Sequence, residues 1–600
     1  MRRFGFLAAA VALTVFCTSF VQAAINVTYN VNTDANKTPI SKYVYGSNWG
    51  GGTDYTIRRS GGNRLTGYNW ENNFSNAGAD WYHSNDRYLV QDIPPAQQLV
   101  PGIAITSFHD AALSQGQASV VTLQMAGYVS ADDYGEVNLA QTAPSSRWKK
   151  VVYAKGAPFC NPPGSPNTVD ANVYMDEFIN FLVSKYGHAG EPNGVKFYDL
   201  DNEPDIWSDG AGGGTHPRIH PVDPCCLELK DRSVALSTAV KNVDPNAQIM
   251  GPVSYGFEGY RTFQGASDWG SQGSGYKWFL SYYLDKMKAA SGTAGKRLLD
   301  ALDVHWYPEA QDVNGVRITE FRNYRANWDA RMQAPRSLWD YDYSENSWIH
   351  TWYHSWLPIL PPLKTSIDTN YPDTNLAITE YAYGGEDHYS GGIATADVLG
   401  IFGKYGVYVA TYWGEGTYVD AAIKMFRKYD FRTNATFGDM NVPATMSNKV
   451  DSSIYASIFD SNNNVLHLIV TNKNFDNDIN GTFNITSSHS FTSGRIWAFD
   501  MNGSDIMEMR RIDNITSNSF KYLIPRLSVC HIVLDGPPCP MQFQCELTEN
   551  CYVDKAELDI LCDQWLHIGD CSADPQCADF NGDEIVDFLD FAVMGQEWKS

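Results

Sequence analysis

Residues 195–204 read Val-Lys-Phe-Tyr-Asp-Leu-Asp-Asn-Glu-Pro. The stretch opens as an apolar and aromatic run of strand length and closes on the polar turn Asn-Glu-Pro. At 227–243 it is followed by apolar residues recurring every three or four positions, the spacing of an amphipathic helix. The same phrase recurs along the chain. Short runs rich in Val, Ile and Tyr stand at 44–48, 56–64, 120–126, 195–203, 248–253, 302–307, 375–381 and 407–413, and helical spacing follows several of them, at 175–186, 227–243, 277–290 and 394–405. Strand and helix alternating eight times predict an α/β fold, a (β/α)8 barrel of the TIM type over residues 43–427. The long segments after the second and third runs are expected to build the walls of a cleft.

Outward from the barrel the rhythm changes. Short strands without helices, at 453–459, 465–471, 481–485, 495–499 and 530–534, predict a β-sandwich domain over 428–535. Residues 25–31 alternate in the same way, so the segment 24–42 is expected to join that sandwich. At the start of the chain, Arg2 and Arg3 precede an apolar run that ends in Val21-Gln22-Ala23, so residues 1–23 read as a signal peptide and the protein as secreted, with cell-surface attachment a variant of that reading. No second apolar span follows, so no membrane contact is expected once the signal is removed.

Gly536-Pro537-Pro538 breaks the chain before a tail, 536–600, in which Cys539, Cys545, Cys551, Cys562, Cys571 and Cys577 crowd together close behind Cys530. In an exported protein this reads as disulfide stapling of a module with a thin core, and spacing leaves the pairing open. The tail repeats itself at an offset of 33 residues, from Val553-Asp554 to Trp565 and from Val586-Asp587 to Trp598. Asp579, Asn581, Asp583, Asp587 and Asp590 occupy positions 1, 3, 5, 9 and 12 of a calcium loop, which predicts one EF-hand-like site; the first copy has Thr548 and Asn550 where acids would be needed.

The net charge of −24 argues against nucleic acid or anionic membrane as partner, because both require a basic surface. A neutral polymer suits the chain better, and 17 Trp and 35 Tyr supply flat faces for sugar rings or, equally, for cores. Barrels carry their chemistry at the C-terminal ends of the strands. Two acids stand there, Glu203 after the fourth run and Glu380 after the seventh. Glycoside hydrolysis needs such a pair, one protonated to assist the leaving oxygen and one ionised to attack. Arg64, His305, Tyr307 and Trp413 close other runs.

This set of Arg, Asn-Glu, His-x-Tyr, Glu and Trp resembles the large clan of retaining (β/α)8 glycosidases. The resemblance implies that Asn202 bonds the sugar 2-hydroxyl, that His305 and Tyr307 orient the nucleophile Glu380, that Glu203 is the acid/base, and that Trp413 floors the subsite where the bond breaks. Longer stretches carry a closer resemblance. They are residues 59–72 (Arg-Ser-Gly-Gly-Asn-Arg-Leu-Thr-Gly-Tyr-Asn-Trp-Glu-Asn), 75–81 (Ser-Asn-Ala-Gly-Ala-Asp-Trp), Asp201-Asn202-Glu203-Pro204, 215–221 (Thr-His-Pro-Arg-Ile-His-Pro) and 303–308 (Asp-Val-His-Trp-Tyr-Pro). They are similar to glycoside hydrolase family 44, the endoglucanases and xyloglucanases, from about residue 25 to 535. The family implies a barrel plus β-sandwich, retention of configuration, endo-cleavage of β-1,4-glucan and no cofactor for catalysis, with Arg64, Trp70 and Trp81 joining Asn202, His305, Tyr307 and Trp413 as substrate contacts. The chain departs from the family in the Gly-rich loop 209–214 and in Cys225-Cys226. The tail resembles half of a dockerin, with Glu584 where the sixth loop position usually holds Gly, so its partner is read as a cell surface or a cohesin-like protein. A xylanase or mannanase of the same clan, or a noncatalytic glycan-binding scaffold, are the competing readings. Zinc at His216 and His220 is disfavoured, because Pro217 and Pro221 exclude the helix their spacing would need.

Overall fold

The computed structural model describes residues 24–534, apart from 51, 53, 210–212, 431–434, 510 and 514, together with 555–569 and 577–597. The expected signal peptide, the Gly-Pro-Pro break, half of loop 209–214, Cys539, Cys545, Cys551, Cys571 and Trp598 lie outside the described residues.

Eight parallel strands close into a barrel in chain order: Gly46–Asn48, Ile57–Ser60, Ala118–Leu123, Phe197–Leu200, Gln248–Ser254, Ala301–Trp306, Asn375–Tyr381 and Val409–Tyr412. They are numbered one to eight below. Helices Met175–Tyr186, Cys226–Val243, Phe279–Ala294 and Tyr389–Tyr405 fall where apolar spacing placed them. The second run differs at its end. The strand stops at Ser60, because Gly61-Gly62 interrupts it and residues Asn63–Thr66 coil into a helical turn.

The interior of the barrel is layered by the two-residue period of strands. Ile57, Val120, Phe197, Met250, Ala301, Ala377 and Val409, one from each of strands two to eight, form an apolar floor with Tyr43 against it. Two residues further along the same strands stand Arg59, Thr122, Asp199, Pro252, Asp303, Thr379 and Thr411, also buried but polar in every case except proline. The polar layer lies directly beneath the strand ends that carry Glu203 and Glu380.

The second unit packs a four-stranded sheet, ordered Ala444–Met446, Ile25–Asn32, Ile479–Thr486, Ser519–Ile524, against a seven-stranded one centred on Ser452–Phe459, Asn462–Asn472 and Ser528–Leu534. Val27, Tyr29 and Val31 point into the core between the sheets, and Tyr29 stacks on Phe483 at 4.6 Å. Cys530 is a free, buried residue of the last strand, so the expected crowd of tail cysteines begins only after it. The sandwich is joined to the barrel through helix Tyr389–Tyr405, which follows the strand bearing Glu380 and is buried along nearly its whole length. A Cβ on Gly400 would lie 2.1 Å from the Tyr455 ring, so only glycine permits this approach. Beside it, Asp397 accepts from Lys473 at 2.9 Å, a fully buried ion pair that is also bonded by the Tyr455 hydroxyl. Truncating either charged partner would strand the other, at about 3–5 kcal/mol.

Candidate active site

Strand four ends in an irregular turn. Asp201 and Glu203 both take left-handed backbone conformations, φ 69° and 44°, and Val253 on the adjoining strand does so at 60°. Non-glycine residues held there cost about 1–3 kcal/mol each, so the surroundings must hold them in place. Asp201 is fully buried and accepts from Thr66 Oγ1 at 2.5 Å, Asn202 N at 2.8 Å, Ala126 N at 2.9 Å and also Met125 N. Glu203 N donates to Val253 O at 3.0 Å. The turn is thus pinned to strands three and five and the chain after strand two, and it aims Glu203 across the mouth of the barrel at Glu380.

One oxygen of each carboxyl and a ring nitrogen of His305 all lie within 4.8 Å of one another. Glu380 accepts from Arg59 Nη1 at 2.7 Å and from the Tyr307 hydroxyl at 2.8 Å. Arg59 is completely buried and also donates to Asp199 at 2.5 Å and to Asn202 Oδ1 at 3.0 Å, while Gly62 N donates to Asn202 Oδ1 at 3.2 Å. The guanidinium rests where a side chain at position 61 would be: a Cβ on Gly61 would stand 2.1 Å from Arg59 Nη1. Among the described residues, no Lys or Arg pairs with Glu203 as Arg59 does with Glu380. The polar partner of Glu203 is His305 Nδ1 at 2.8 Å, and burial together with Arg59 holds that imidazole well below its usual pKa, hence neutral.

The two acids are therefore electrostatically unequal. Burial raises both, but Glu203 is pushed well up by burial, then by the charges of Glu380 and Asp205, whereas Arg59 and the Tyr307 hydroxyl oppose the rise at Glu380. The site can hold one proton on Glu203 beside an ionised Glu380. Among the described residues, Glu203, His305 and Glu380 are also the one group of three acidic or histidine side chains close enough together to share an ion.

A sequence model of glycoside hydrolase family 44 matches residues 74–310. Endoglucanase A of Paenibacillus lautus is 51% identical over 544 residues, covering 88% of this chain and 76% of that protein. The chain belongs to glycoside hydrolase family 44. The family 44 xyloglucanase of Paenibacillus polymyxa, solved with xyloglucan, superposes with a TM-score of 0.82 at 50% identity, covering 85% of this chain and 99% of that one. The Clostridium thermocellum family 44 endoglucanase gives 0.82 at 52%, covering 86% and 100%. A β-mannanase/endoglucanase A of Caldicellulosiruptor saccharolyticus is 47% identical over 524 residues, but the chain spans only 39% of its length.

Not every residue singled out by sequence reaches the site of this family 44 glycosidase. Arg64 does not: it lies on the turn beyond strand two, pairs with Asp86 at 2.5 Å and covers the Tyr88 ring. The arginine on the carboxylate is Arg59. It faces inward because it stands two residues from the floor residue Ile57, a signal that alternation carried and that the overlong second run obscured. Trp70 is no sugar platform either, since it has no exposed surface, stacks on Phe178 and Phe181, and donates from its indole to Tyr174 O. His305 is nearer Glu203 than Glu380, at 2.8 Å against 3.5 Å, so its first contact is with the other acid.

Trp413, Trp81 and Asn202 gather around the turn Gly62-Asn63. Trp413 is 37% exposed and its ring lies over Gly62. Trp81 is exposed, on a turn tied to the site by the bonds Asn63 Nδ2 to Asp80 and Asn202 Nδ2 to Asn63. Asn202 stands between Arg59 and that turn. Tyr255 was not foreseen. With Gln264 it lines both a cavity of about 470 Å³, bordered by Asp205 and Ser208, and one of about 170 Å³, bordered by Tyr307, Glu309 and Trp348. Trp348 comes from the long segment after strand six, which was not among the segments expected to form walls. Cys225 and Cys226 are free thiols at the start of helix Cys226–Val243, beyond the Pro224 edge of the larger cavity.

In the tail, helices Lys555–Asp563 and Phe588–Glu597 share a small core of Leu561, Ala578, Phe580, Val586 and Met594. Cys562 is free and Cys577 is disulfide-bonded. Glu584, at the sixth loop position, takes φ 67°, the conformation for which calcium loops usually use glycine. Asp579 and buried Asp590 turn their carboxylates onto backbone N–H groups of the loop, at 2.7–3.2 Å.

Proposed function

We propose that this glycosidase is a retaining, endo-acting β-1,4-glucanase of cellulose-type glucans or xyloglucan, with Glu203 as acid/base and Glu380 as nucleophile. The observation that carries the reading is the spacing of the two carboxyls, whose nearest oxygens approach within 4.8 Å. Retaining enzymes hold their pair about 5–5.5 Å apart, whereas inverting ones leave about 6.5–9.5 Å for a water. Glu380, backed by Arg59 and Tyr307, is the acid suited to attack the anomeric carbon. Glu203, proton-bearing and in contact with neutral His305, is suited to protonate the leaving oxygen and then to activate water. Glucan as substrate is supported by the names of two relatives about half identical to this chain, an endoglucanase and a xyloglucanase. Asn202, Trp81 and Trp413 are proposed as sugar contacts, and Tyr307 as the residue that holds the nucleophile. Residues 1–23 are proposed as an export signal; no described helix is long and apolar enough to cross a membrane.

The tail is proposed to bind calcium through Asp579, Asn581, Asp583, Asp587 and Asp590 and to attach the enzyme to a cell surface or a cohesin-like protein. The left-handed Glu584 supports the loop reading, and exposed Phe588, Leu589 and Phe591 on the following helix supply an apolar face. The central test is mass spectrometry of peptides after inactivation with an activated 2-deoxy-2-fluoro-cellooligosaccharide, alongside rates on carboxymethyl-cellulose, xyloglucan, xylan and mannan. Label on Glu380 and preference for the first two substrates are the expected results. Inverted product configuration would overturn the mechanism.

A further inference from the structure

Beneath the two glutamates the buried polar layer holds more acid than base. Asp199 on strand four and Asp303 on strand six are both fully buried in one polar layer, on alternate strands, whose inward side chains share a layer of a closed barrel, and each feels the other's charge. Arg59 is the cation beside them, and its charge is already divided between Asp199 through Nε and Glu380 through Nη1. Asp303 accepts from Thr379 N at 3.2 Å and Thr379 Oγ1 at 2.7 Å, which fastens it to the residue preceding Glu380. Asp199 Oδ1 is buried and faces no N–H or hydroxyl donor. Two ionised carboxylates in contact, with Glu380 as a third anion around one guanidinium, would be a costly arrangement in an interior closed to water. A proton between Asp199 and Asp303 removes the repulsion and supplies the donor that Asp199 Oδ1 lacks.

We infer that Asp199 and Asp303 form a proton-sharing carboxyl pair that sets how much of the Arg59 charge reaches Glu380, making both of them positioning residues for the nucleophile. The proton resides on Asp303, the member farther from Arg59, and Asp199 keeps the negative charge that competes with Glu380 for the guanidinium. The groups facing Glu380 are Arg59 from strand two, Glu203 and Asp199 from strand four, and His305 and Tyr307 from strand six, with Asp303 one layer removed on Thr379. His305 is neutral and Tyr307 a neutral donor, so Asp199 is the anion that Arg59 balances against Glu380.

The inference rests on Glu380 being the nucleophile, and its test separates the two. In Asp199→Asn the whole guanidinium charge falls to Glu380, so the acid limb of the kcat/KM profile is expected to move down by about 1 in pH. In Asp303→Asn the amide takes the place of the shared proton, and the limb is expected to stay at its wild-type position. The second readout is infrared spectroscopy at neutral pH in a Glu203→Gln background, which removes the Glu203 proton from the spectrum. The Glu203→Gln protein should show a protonated-carboxyl band that is missing from Glu203→Gln/Asp303→Asn. Superimposable spectra, or an Asp199→Asn limb that stays in place or moves up, would overturn the pair. If Asp199→Asn does not fold, the infrared difference decides alone, and it holds whichever residue the fluorosugar labels.

Discussion

Replacing Tyr307 by Phe deletes one hydroxyl and leaves the ring in place. That hydroxyl donates to Glu380 Oε2 at 2.8 Å, and it is among the groups that lower the Glu380 pKa against the effect of burial. A hydrogen bond to a charged acceptor is worth about 1.5–3 kcal/mol, and 1.36 kcal/mol corresponds to one pKa unit, so its loss should raise the carboxyl by about 1–2. Arg59 still donates to the other oxygen, which argues for the lower end, about 1. Glu380 must be ionised to attack, so the acid limb of kcat/KM on a soluble glucan should move up by that amount. Stability follows the same sign. Burial has already raised the folded pKa of this acid, so the ionised form is the one the fold disfavours, and loss of the donor weakens the fold only above that folded pKa. Unfolding midpoints of variant and wild type should therefore differ at neutral pH and converge as pH falls through the limb. A limb that stays put or moves down would refute the assignment of Tyr307 to the charged form of Glu380.

Glu203→Ala removes the proton donor, and substrates with poor leaving groups should lose about 10²–10⁴-fold in rate while aryl glycosides with acidic leaving groups lose far less; equal losses would exclude the acid role. Trp70→Ala empties a site with no exposed surface between Phe178 and Phe181, so it should cost about 3–5 kcal/mol of stability and leave KM unchanged in the folded fraction. A raised KM at unaltered stability would return Trp70 to the cleft. Calorimetric titration of the full chain with calcium should give heat that the Asp579→Ala/Asp583→Ala double variant lacks, and cleavage of soluble glucan should be the same in both. No such heat in the wild type would leave the tail as an acidic, disulfide-stapled module without a calcium-ordered face.

Alternation and periodicity fixed much of this molecule in advance. Most of the barrel runs carry enough apolar residues at the right spacing to commit their segments locally, the first strand, Gly46-Ser47-Asn48, being the exception, and Ile25–Asn32 carries the one-face pattern that seats it in the sandwich. Glu203 and Glu380 were legible because a barrel fold alone places the ends of strands four and seven at one mouth. Other features depend on distances no local pattern encodes. Arg59 follows alternation from Ile57, but Arg64, five residues on, leaves that register because the strand ends before Gly61-Gly62, and its partner Asp86 lies on a separate small sheet. Trp70 and Trp81 are equally aromatic in sequence, and which is core and which is surface follows from whether Phe178 and Phe181, more than a hundred residues away, close over the ring. The inequality of the two glutamates is likewise tertiary. A carboxyl's pKa answers to burial and to charges within a few ångströms, and those around Glu203 and Glu380 come from strands two, four and six, which only the closed barrel brings together.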